Sequence, residues 1–171
     1  MGRRGLAAAG IAVLAIAWAA WLAAIPIVAA DRPDGATLLG TAATYQVGSI
    51  ICHQRPDRSF HIGGVQTPVC ARCLGLYGGA AVGAMVGIGW GRRRSRGLEQ
   101  SRMRLSMLRI ILLVAAVPTV ALWALEHASV LGVTNLARFT GALPLGAAVA
   151  WFVVAWVAGA RFDDNSARAI H

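Results

Sequence analysis

The sequence contains no lysine and very few acidic residues. Its sixteen basic residues are all arginine, only seven Asp and Glu residues oppose them, and 13% of the 171 residues are charged. Soluble globular proteins carry about 25% charged residues, so this chain lacks the polar surface that a water-facing domain needs. A disordered chain is excluded as well, because 57% of the residues are hydrophobic and the mean hydropathy is +0.62. The composition therefore indicates an integral membrane protein.

Several signatures of well-known sites are also missing. The sequence has no Gly-x-Ser-x-Gly nucleophile motif, no His-Glu-x-x-His zinc motif and no phosphate-binding P-loop. Its apolar runs have no acidic residue near their middle, although proton- and ion-coupled transporters usually rely on such residues. The net charge of +9 is explained by basic cytoplasmic loops of a membrane protein, and we expect no nucleic acid partner.

Four apolar runs predict four transmembrane helices, at about residues 6–30, 69–90, 105–125 and 136–160. Each is long enough to cross the roughly 30 Å hydrocarbon core of a bilayer as a helix. The first run exceeds the ~7–15-residue core of a signal peptide, which favours a retained span over cleavage near Ala30. The predicted fold is an all-α bundle of four transmembrane helices, in a single membrane domain that comprises residues 1–171.

The distribution of arginine predicts the orientation in the plasma membrane. Eleven arginines lie near the two chain termini or the loop of residues 91–104, and five lie near the opposite ends of the spans. By the positive-inside rule, both termini and the 91–104 loop should face the cytoplasm. The loop of residues 31–68 is then extracytoplasmic, and the lipid bilayer is the expected partner.

The second span carries a ridge of glycines, Gly75, Gly79, Gly83 and Gly87, at every fourth position. Small residues at this spacing allow the backbone of another helix to approach closely. Two interpretations remain open, a homodimer face and a seam against the first or fourth span of the same chain. The seam is favoured, because a four-helix bundle already needs one.

Three small elements are predicted between the first two spans. Residues 36–51 suit a short helix on the membrane surface, Pro56 and Asp57 suit a turn, and residues 60–67 suit a tight hairpin around Gly63-Gly64. The region from 52 to 73 holds all three cysteines of the chain, so we expect the chemistry to lie here.

A divalent metal site, most simply a zinc site, is the first interpretation of these cysteines. Cys70 and Cys73 share one face of a helix start, where the dipole and free amide N–H groups favour thiolates. Two sulfurs on a helical turn, joined by upstream Cys and His ligands, are typical of zinc sites. Cys52 would be the third ligand, with His53 or His61 as the fourth. Spacing favours His61, because adjacent residues seldom reach one metal together.

The same cysteines are compatible with other chemistry. An external Cys-x-x-Cys pair suits a membrane thiol-disulfide oxidoreductase, because extracytoplasmic compartments favour disulfides. Quinone-linked thiol oxidases are similar in architecture, yet they use two cysteine pairs, and this chain has one pair and a third cysteine. A structural disulfide with one free thiol is a further alternative. The last alternative is a metal-assisted hydrolase that acts on an anionic or lipid substrate.

Charged residues are expected to gather at the same end of the bundle. Arg72 lies in the first turn of a helix, where the dipole opposes a cation, so an anionic partner is expected. Arginine forks suit phosphate or carboxylate groups, which predicts a pocket for an anionic small molecule or a lipid head group. Simple solvation at the membrane interface is the alternative. The predicted anion-binding residues are Arg58, Arg72, Arg138, Glu126 and His127.

Two stretches of this region resemble the signature of a known family. Residues 52–60 read CHQRPDRSF and residues 68–79 read PVCARCLGLYGG. They resemble the pattern Cys-His-Gln-x-Pro-x-Arg-Ser-Phe followed by Cys-Ala-Arg-Cys-x-Gly-x-Tyr-x-Gly, which marks small bacterial and archaeal membrane proteins known only as a domain of unknown function. The resemblance implies a four-span layout. Because the pattern includes His53 and omits His61, it favours His53 as the fourth metal ligand. The matching residues are Cys52, His53, Gln54, Pro56, Arg58, Ser59, Phe60, Cys70, Ala71, Arg72, Cys73, Gly75, Tyr77 and Gly79.

Overall fold

The computed structural model describes residues 3–31, 34–95, 103–129, 132–159 and 162–163. Within these ranges, four helices are long and apolar enough to cross a membrane, and the all-α prediction of four spans is confirmed. A shorter helix, a single turn of 3-10 helix (Pro56–Arg58) and two pairs of very short strands complete the fold. The helices are α1 (Arg3–Ala30), α2 (Gly35–Ile51), α3 (Ala71–Ser95), α4 (Leu105–His127) and α5 (Asn135–Val157). The strands are β1 (His61–Ile62), β2 (Val65–Gln66), β3 (Met103–Arg104) and β4 (Phe162–Asp163).

Helices α3 and α5 form the centre of the bundle, and the glycine ridge is the seam between them. A methyl group on Gly75, Gly79 or Gly83 would overlap a backbone carbonyl of α5, and a Cβ on Gly87 would lie 2.9 Å from the Cβ of Val154. The ridge is therefore filled by α5 of the same chain. This contact agrees with the seam interpretation of the ridge, and the partner is the fourth span and not the first.

The outer spans pack on this centre to different degrees. Helix α1 lies against α3 and α5, where Ala8 and Ala12 meet Ala84 and Val154 in a core of small side chains. Helix α4 packs mainly against α5, and Leu108 is its one fully buried residue in the described part of the chain. One face of α4 presents apolar side chains outward, among them Leu113, Val117 and Val120, as a span in contact with lipid does.

The helix ends differ slightly from the predicted bounds. The fourth span begins at Asn135 because the Thr134 side chain accepts a hydrogen bond from the N–H of Ala137. It ends at Val157 and not at residue 160, because Gly159 takes a φ of +101°, which stops the helix. The second span begins at Ala71, two residues later than predicted, and continues to Ser95.

The predicted elements between α1 and α3 are present. Helix α2 begins after Asp34, which caps it by accepting from the N–H of Thr37 at 2.9 Å. It is joined to α1 by a hydrogen bond of 2.9 Å from Trp21 Nε1 to Thr44 Oγ1. The hairpin pairs β1 with β2 in antiparallel register, and Gly63-Gly64 forms its turn with positive φ angles. The parallel pairing of β3 with β4 was not predicted.

Candidate functional site

The three cysteines come together from two separate parts of the chain, the end of α2 and the start of α3. Cys52 directly follows α2, Cys70 precedes α3, and Cys73 lies in the first turn of α3. Their Sγ atoms all lie within 4.8 Å of one another, and all three are free thiols. In a tetrahedral site with Zn–S bonds of about 2.3 Å, sulfurs lie roughly 3.8 Å apart, so a small inward movement would suffice. We call these residues the thiol cluster.

An apolar shell surrounds the thiol cluster. Cys52 is 8% exposed and packs with Leu22 and Val69, while Trp18 and Tyr77 cover the same region from α1 and α3. The backbone N–H of Cys70 donates a hydrogen bond of 3.2 Å to the sulfur of Cys52. Such a shell limits access of water and strengthens the electrostatic interactions of any bound ion.

Contacts with the other cysteines lower the pKa of Cys70. The Cys73 thiol hydrogen-bonds to Cys70, and this interaction outweighs the opposing effect of burial. Backbone N–H groups at the start of α3 and the Cys52 thiol add to it, so that the pKa of Cys70 falls to about 5. Cys70 is thus the member of the pair that loses its proton first, and the thiolate is the form that binds metals and attacks disulfides.

A glutamine fastens the loop that delivers Cys52. Gln54 has a positive φ of 47°, and its side-chain amide donates to the carbonyl oxygens of Tyr45 at 2.8 Å and Pro68 at 2.7 Å. Gln66 donates to the carbonyl oxygen of Gln54 at 2.6 Å. Gly48 makes room for this network, because a Cβ there would lie 2.6 Å from Gln54 Nε2. The network joins α2, the hairpin and the segment before Cys70.

Sequence reasoning assigned no role to this glutamine. Its position directly after Cys-His inside the signature was the available signal, because a buried amide next to ligands commonly orients them.

The predicted histidine ligands lie outside the thiol cluster. Among the described residues, the group of possible ligand atoms within 4.8 Å contains the three sulfurs and no imidazole. His53 and His61 are both exposed, His53 beside Cys52 and His61 on β1. The structure thus provides three ligands in place and leaves a fourth position to an imidazole, a water molecule or another ligand.

A second site is formed by three arginines around one glutamate. Glu126 accepts from Arg72 at 3.2 Å and from Arg138 at 2.9 Å, and Arg58 Nε lies 3.1 Å from its Oε1. The side chains of Arg138 and Glu126 are 10% and 11% exposed, those of Arg72 and Arg58 22% and 36%. We call these four residues the arginine cluster.

The loop is attached to the arginine cluster through Asn135. Arg138 donates to Asn135 Oδ1 at 2.6 Å, and the Asn135 amide donates to the carbonyl oxygen of Ser59 at 2.9 Å. The Phe60 ring meets Phe139 edge-on at 6.0 Å between centroids. The Ser59-Phe60 part of the signature therefore positions Arg58 over the ends of α4 and α5, a role that sequence reasoning missed.

His127, the fifth residue predicted for the anion pocket, points elsewhere. It is exposed, and its ring stacks on Trp123 at 4.8 Å between centroids. The structure brings together the other four predicted residues and leaves His127 on the outer face of α4.

The two clusters lie on different sides of α3. Successive residues of a helix point about 100° apart, and Arg72 is followed directly by Cys73. Cys73 packs toward α1 with Trp18, whereas Arg72 pairs with Glu126 of α4. The thiol and arginine clusters are therefore neighbours that share one helical turn, and they face different helices.

Comparison with known proteins agrees with this architecture. Residues 52–152 match the family described as "Predicted membrane protein (DUF2085)". The chain belongs to this family. The matched range begins at Cys52 and includes both clusters, so the residues that carry the family resemblance are those that the fold brings together.

Two curated relatives share a shorter stretch. "Uncharacterized protein MJ1492" of Methanocaldococcus jannaschii is 55% identical over 42 residues, which cover 25% of this chain and 27% of that protein. An "Uncharacterized protein" of Methanothermobacter thermautotrophicus is 53% identical over 30 residues, 18% of this chain and 27% of that protein. The chain thus spans about a quarter of the length of these relatives. No solved structure matches the chain.

Proposed function

We propose that this member of the family is a membrane protein that binds a divalent, zinc-like metal through the thiol cluster, beside an arginine cluster that binds an anion. The observation that carries the proposal is the meeting of three free thiols, one from the end of α2 and two from the start of α3, within 4.8 Å. Thiolate sulfur is a preferred ligand of zinc, and the apolar shell around it is the environment that tight thiolate sites have.

We propose His53 as the fourth ligand, with His61 as the alternative. His53 directly follows Cys52, so a rotation of the backbone before Gln54 would bring its ring toward the sulfurs. If no histidine enters, three protein ligands leave one position open for water or a small ligand, which is the arrangement of catalytic zinc sites.

The proposed location is the plasma membrane, with both termini in the cytoplasm and the two clusters at the extracytoplasmic end. The arginine distribution supports this orientation, because eleven of sixteen arginines lie at the other end or beside it. At that end the arginine cluster would lie at the depth of lipid head groups.

A thiol-disulfide oxidoreductase is the second candidate function. The thiolate of Cys70, hydrogen-bonded to Cys73, favours it, since a low-pKa cysteine followed three residues later by a second one is typical of redox sites. The buried Cys52 supports metal binding instead. Its sulfur lies close to those of Cys70 and Cys73 and would be a third metal ligand, whereas a redox pair of two cysteines gives a third cysteine no defined role.

A metal-assisted hydrolase is less well supported. Such an enzyme polarises its substrate with the metal while a basic side chain binds the same group. Here the arginines and the thiols leave α3 toward different helices, Arg72 toward α4 and Cys73 toward α1. This separation supports a binding or structural role for the metal.

The metal content of the protein purified in detergent without added metal tests the proposal. We expect about one zinc or similar ion per chain by plasma mass spectrometry, and cobalt substitution should give the thiolate charge-transfer absorption. Cys70→Ser and Cys73→Ser should each lose the ion. His53→Ala and His61→Ala, compared under the same conditions, identify the fourth ligand.

A different outcome would favour the redox candidate. Freshly purified protein that holds no metal and contains a Cys70–Cys73 disulfide, found by peptide mapping, would contradict the metal proposal.

A further inference from the structure

The arginine cluster carries more positive charge than its own carboxylate neutralises. Three guanidinium groups surround the single carboxylate of Glu126, which leaves a net charge of +2 in the arginine cluster. The exposed Asp57, whose Oδ2 lies 3.7 Å from Arg58 Nε, is itself paired with Arg55 and so does not change this balance. Two helix dipoles add to this charge, since α3 and α5 both begin at this end of the bundle, near Arg72 and Arg138, while α4 ends here and opposes them with one. Burial makes an uncompensated charge costly, so the cluster is suited to a further anion.

The hydrogen-bond donors of the cluster are also in excess. The Nε atoms of Arg72 and Arg138 are buried and have no hydrogen-bond partner among the described residues, and the buried Nε of Arg58 makes only an ion-pair contact, 3.1 Å from Glu126 Oε1. Arg138 is about nine-tenths buried, with an exposed fraction of 9%. A carboxylate accepts about four hydrogen bonds, while each guanidinium offers five donors, so Glu126 alone leaves most donors unused. The Nε–H groups of Arg72 and Arg138 are therefore left without an acceptor among the described residues.

We propose that Arg58, Arg72 and Arg138 bind the dianionic phosphate group of a phosphate monoester, with Glu126 as the built-in counter-ion that holds the three side chains together. A dianion neutralises the residual charge of +2, which a phosphodiester or a single carboxylate does not. A monoester also presents three terminal oxygens to three arginines, and planar guanidinium forks match that geometry. The inference rests on the anion-binding half of the proposed function and is independent of the metal.

The position of the cluster defines how the phosphate reaches it. Arg58, at 36% exposure, is the most open member and lies on the loop side, whereas Arg138 lies deepest. The cluster joins the ends of α3, α4 and α5, where a bilayer places its head groups. The phosphate monoester is therefore either a lipid head group, as in phosphatidic acid, or a free phosphate compound.

Binding assays on the full-length protein in detergent distinguish these sources. Inorganic phosphate and succinate are titrated against thermal unfolding, and phosphatidic acid and phosphatidylglycerol, each added to the detergent micelles, are compared in the same assay. Stabilisation by inorganic phosphate supports a free ligand. Preference for phosphatidic acid over the diester phosphatidylglycerol, without an effect of inorganic phosphate, supports a lipid ligand.

Three substitutions tie the effect to the cluster. Arg58→Gln, the most exposed member and the least disruptive change, should weaken phosphate monoester binding about 10-fold, as the loss of a charge-assisted hydrogen bond does. Arg93→Gln, which removes an exposed arginine near the opposite end of α3, is the matched control and should leave it unchanged. Glu126→Gln should lower stability without phosphate, and phosphate should restore stability to this variant more than to the parent.

The failure of this inference can be told apart from that of the proposed function. Equal binding of phosphatidic acid and phosphatidylglycerol with no response to phosphate, or stabilisation by succinate alone, would overturn the phosphate assignment. Equal effects of Arg58→Gln and Arg93→Gln would overturn it too. Metal content is measured on the same samples. A parent protein without bound metal would contradict the metal proposal, whatever the outcome of the phosphate assays.

Discussion

Replacing Gly83 by alanine tests the central packing of the bundle most sharply. A Cβ at this position would overlap the carbonyl oxygen of Ala147 and lie 2.6 Å from its carbonyl carbon and 2.7 Å from its Cα. The atoms that the Cβ would meet belong to the backbone of α5, so no change of side-chain rotamer relieves the overlap. The axes of α3 and α5 would have to separate along the whole seam.

The expected cost follows from this geometry. Overpacking of a well-packed interface costs about 1–3 kcal/mol, and the rigid partner places Gly83→Ala at the upper end of that range. Gly89, in the same helix, is the matched control, because a Cβ there meets nothing within 4 Å. Gly89→Ala should be neutral or stabilise by up to about 1 kcal/mol, since alanine favours the helix.

Thermal unfolding in detergent measures the difference. The quantity recorded at each temperature is the fraction of the protein that stays monodisperse. Gly83→Ala should unfold at a clearly lower temperature than the parent, and Gly89→Ala should not. Equal stability of the two variants would refute a seam between α3 and α5. Dissociation of an oligomer in Gly83→Ala, without loss of monomer stability, would restore the homodimer interpretation of the glycine ridge.

Three further outcomes are expected. Gln54→Ala should lower stability by about 1–3 kcal/mol and reduce metal retention, because the carbonyl groups that its amide bonds are left without a donor. A membrane-impermeant thiol reagent should label a probe cysteine placed at Gly64 in intact cells and not one placed at Ser95, as the arginine distribution predicts. Arg72→Lys should lower thermal stability because lysine keeps the charge but loses the planar fork, whereas Arg93→Lys should be silent.

Each of these three predictions has a control variant or an outcome that would contradict it. Gln46 is exposed on the same helix end as the Gln54 network, so Gln46→Ala should leave stability and metal retention unchanged. The reverse labelling pattern would contradict the proposed orientation. Silent substitution at Arg72 would reduce this residue to an interfacial charge and remove support from the anion site.

Features that depend on local sequence were predictable. The four spans follow from runs of apolar residues, because a helix in lipid satisfies its own backbone hydrogen bonds. The hairpin follows from Gly63-Gly64, since its turn needs two positive φ angles. The meeting of Cys70 with Cys73 follows from a single helical turn. None of these depends on how distant parts of the chain pack.

Features that depend on distant contacts were only partly predictable. The four-residue spacing of the glycines indicates that the ridge packs against a helix, but only the arrangement of the bundle identifies that helix as α5. Arg58 reaches Glu126 because Asn135 and Phe139 hold the loop, and such contacts leave no periodic signal. The role of Gln54 depends on carbonyl groups that the fold brings to it, so spacing could not reveal it.

Metal analysis of the parent protein beside Cys52→Ser tests the central claim most directly. Cys52 is the sulfur that distinguishes a three-thiol metal site from a Cys70–Cys73 redox pair, because it joins the pair from the end of α2. We predict about one metal ion per chain in the parent and loss of the ion in Cys52→Ser, with both proteins folded. A metal-free parent, or a variant that keeps its full metal content, would contradict the account.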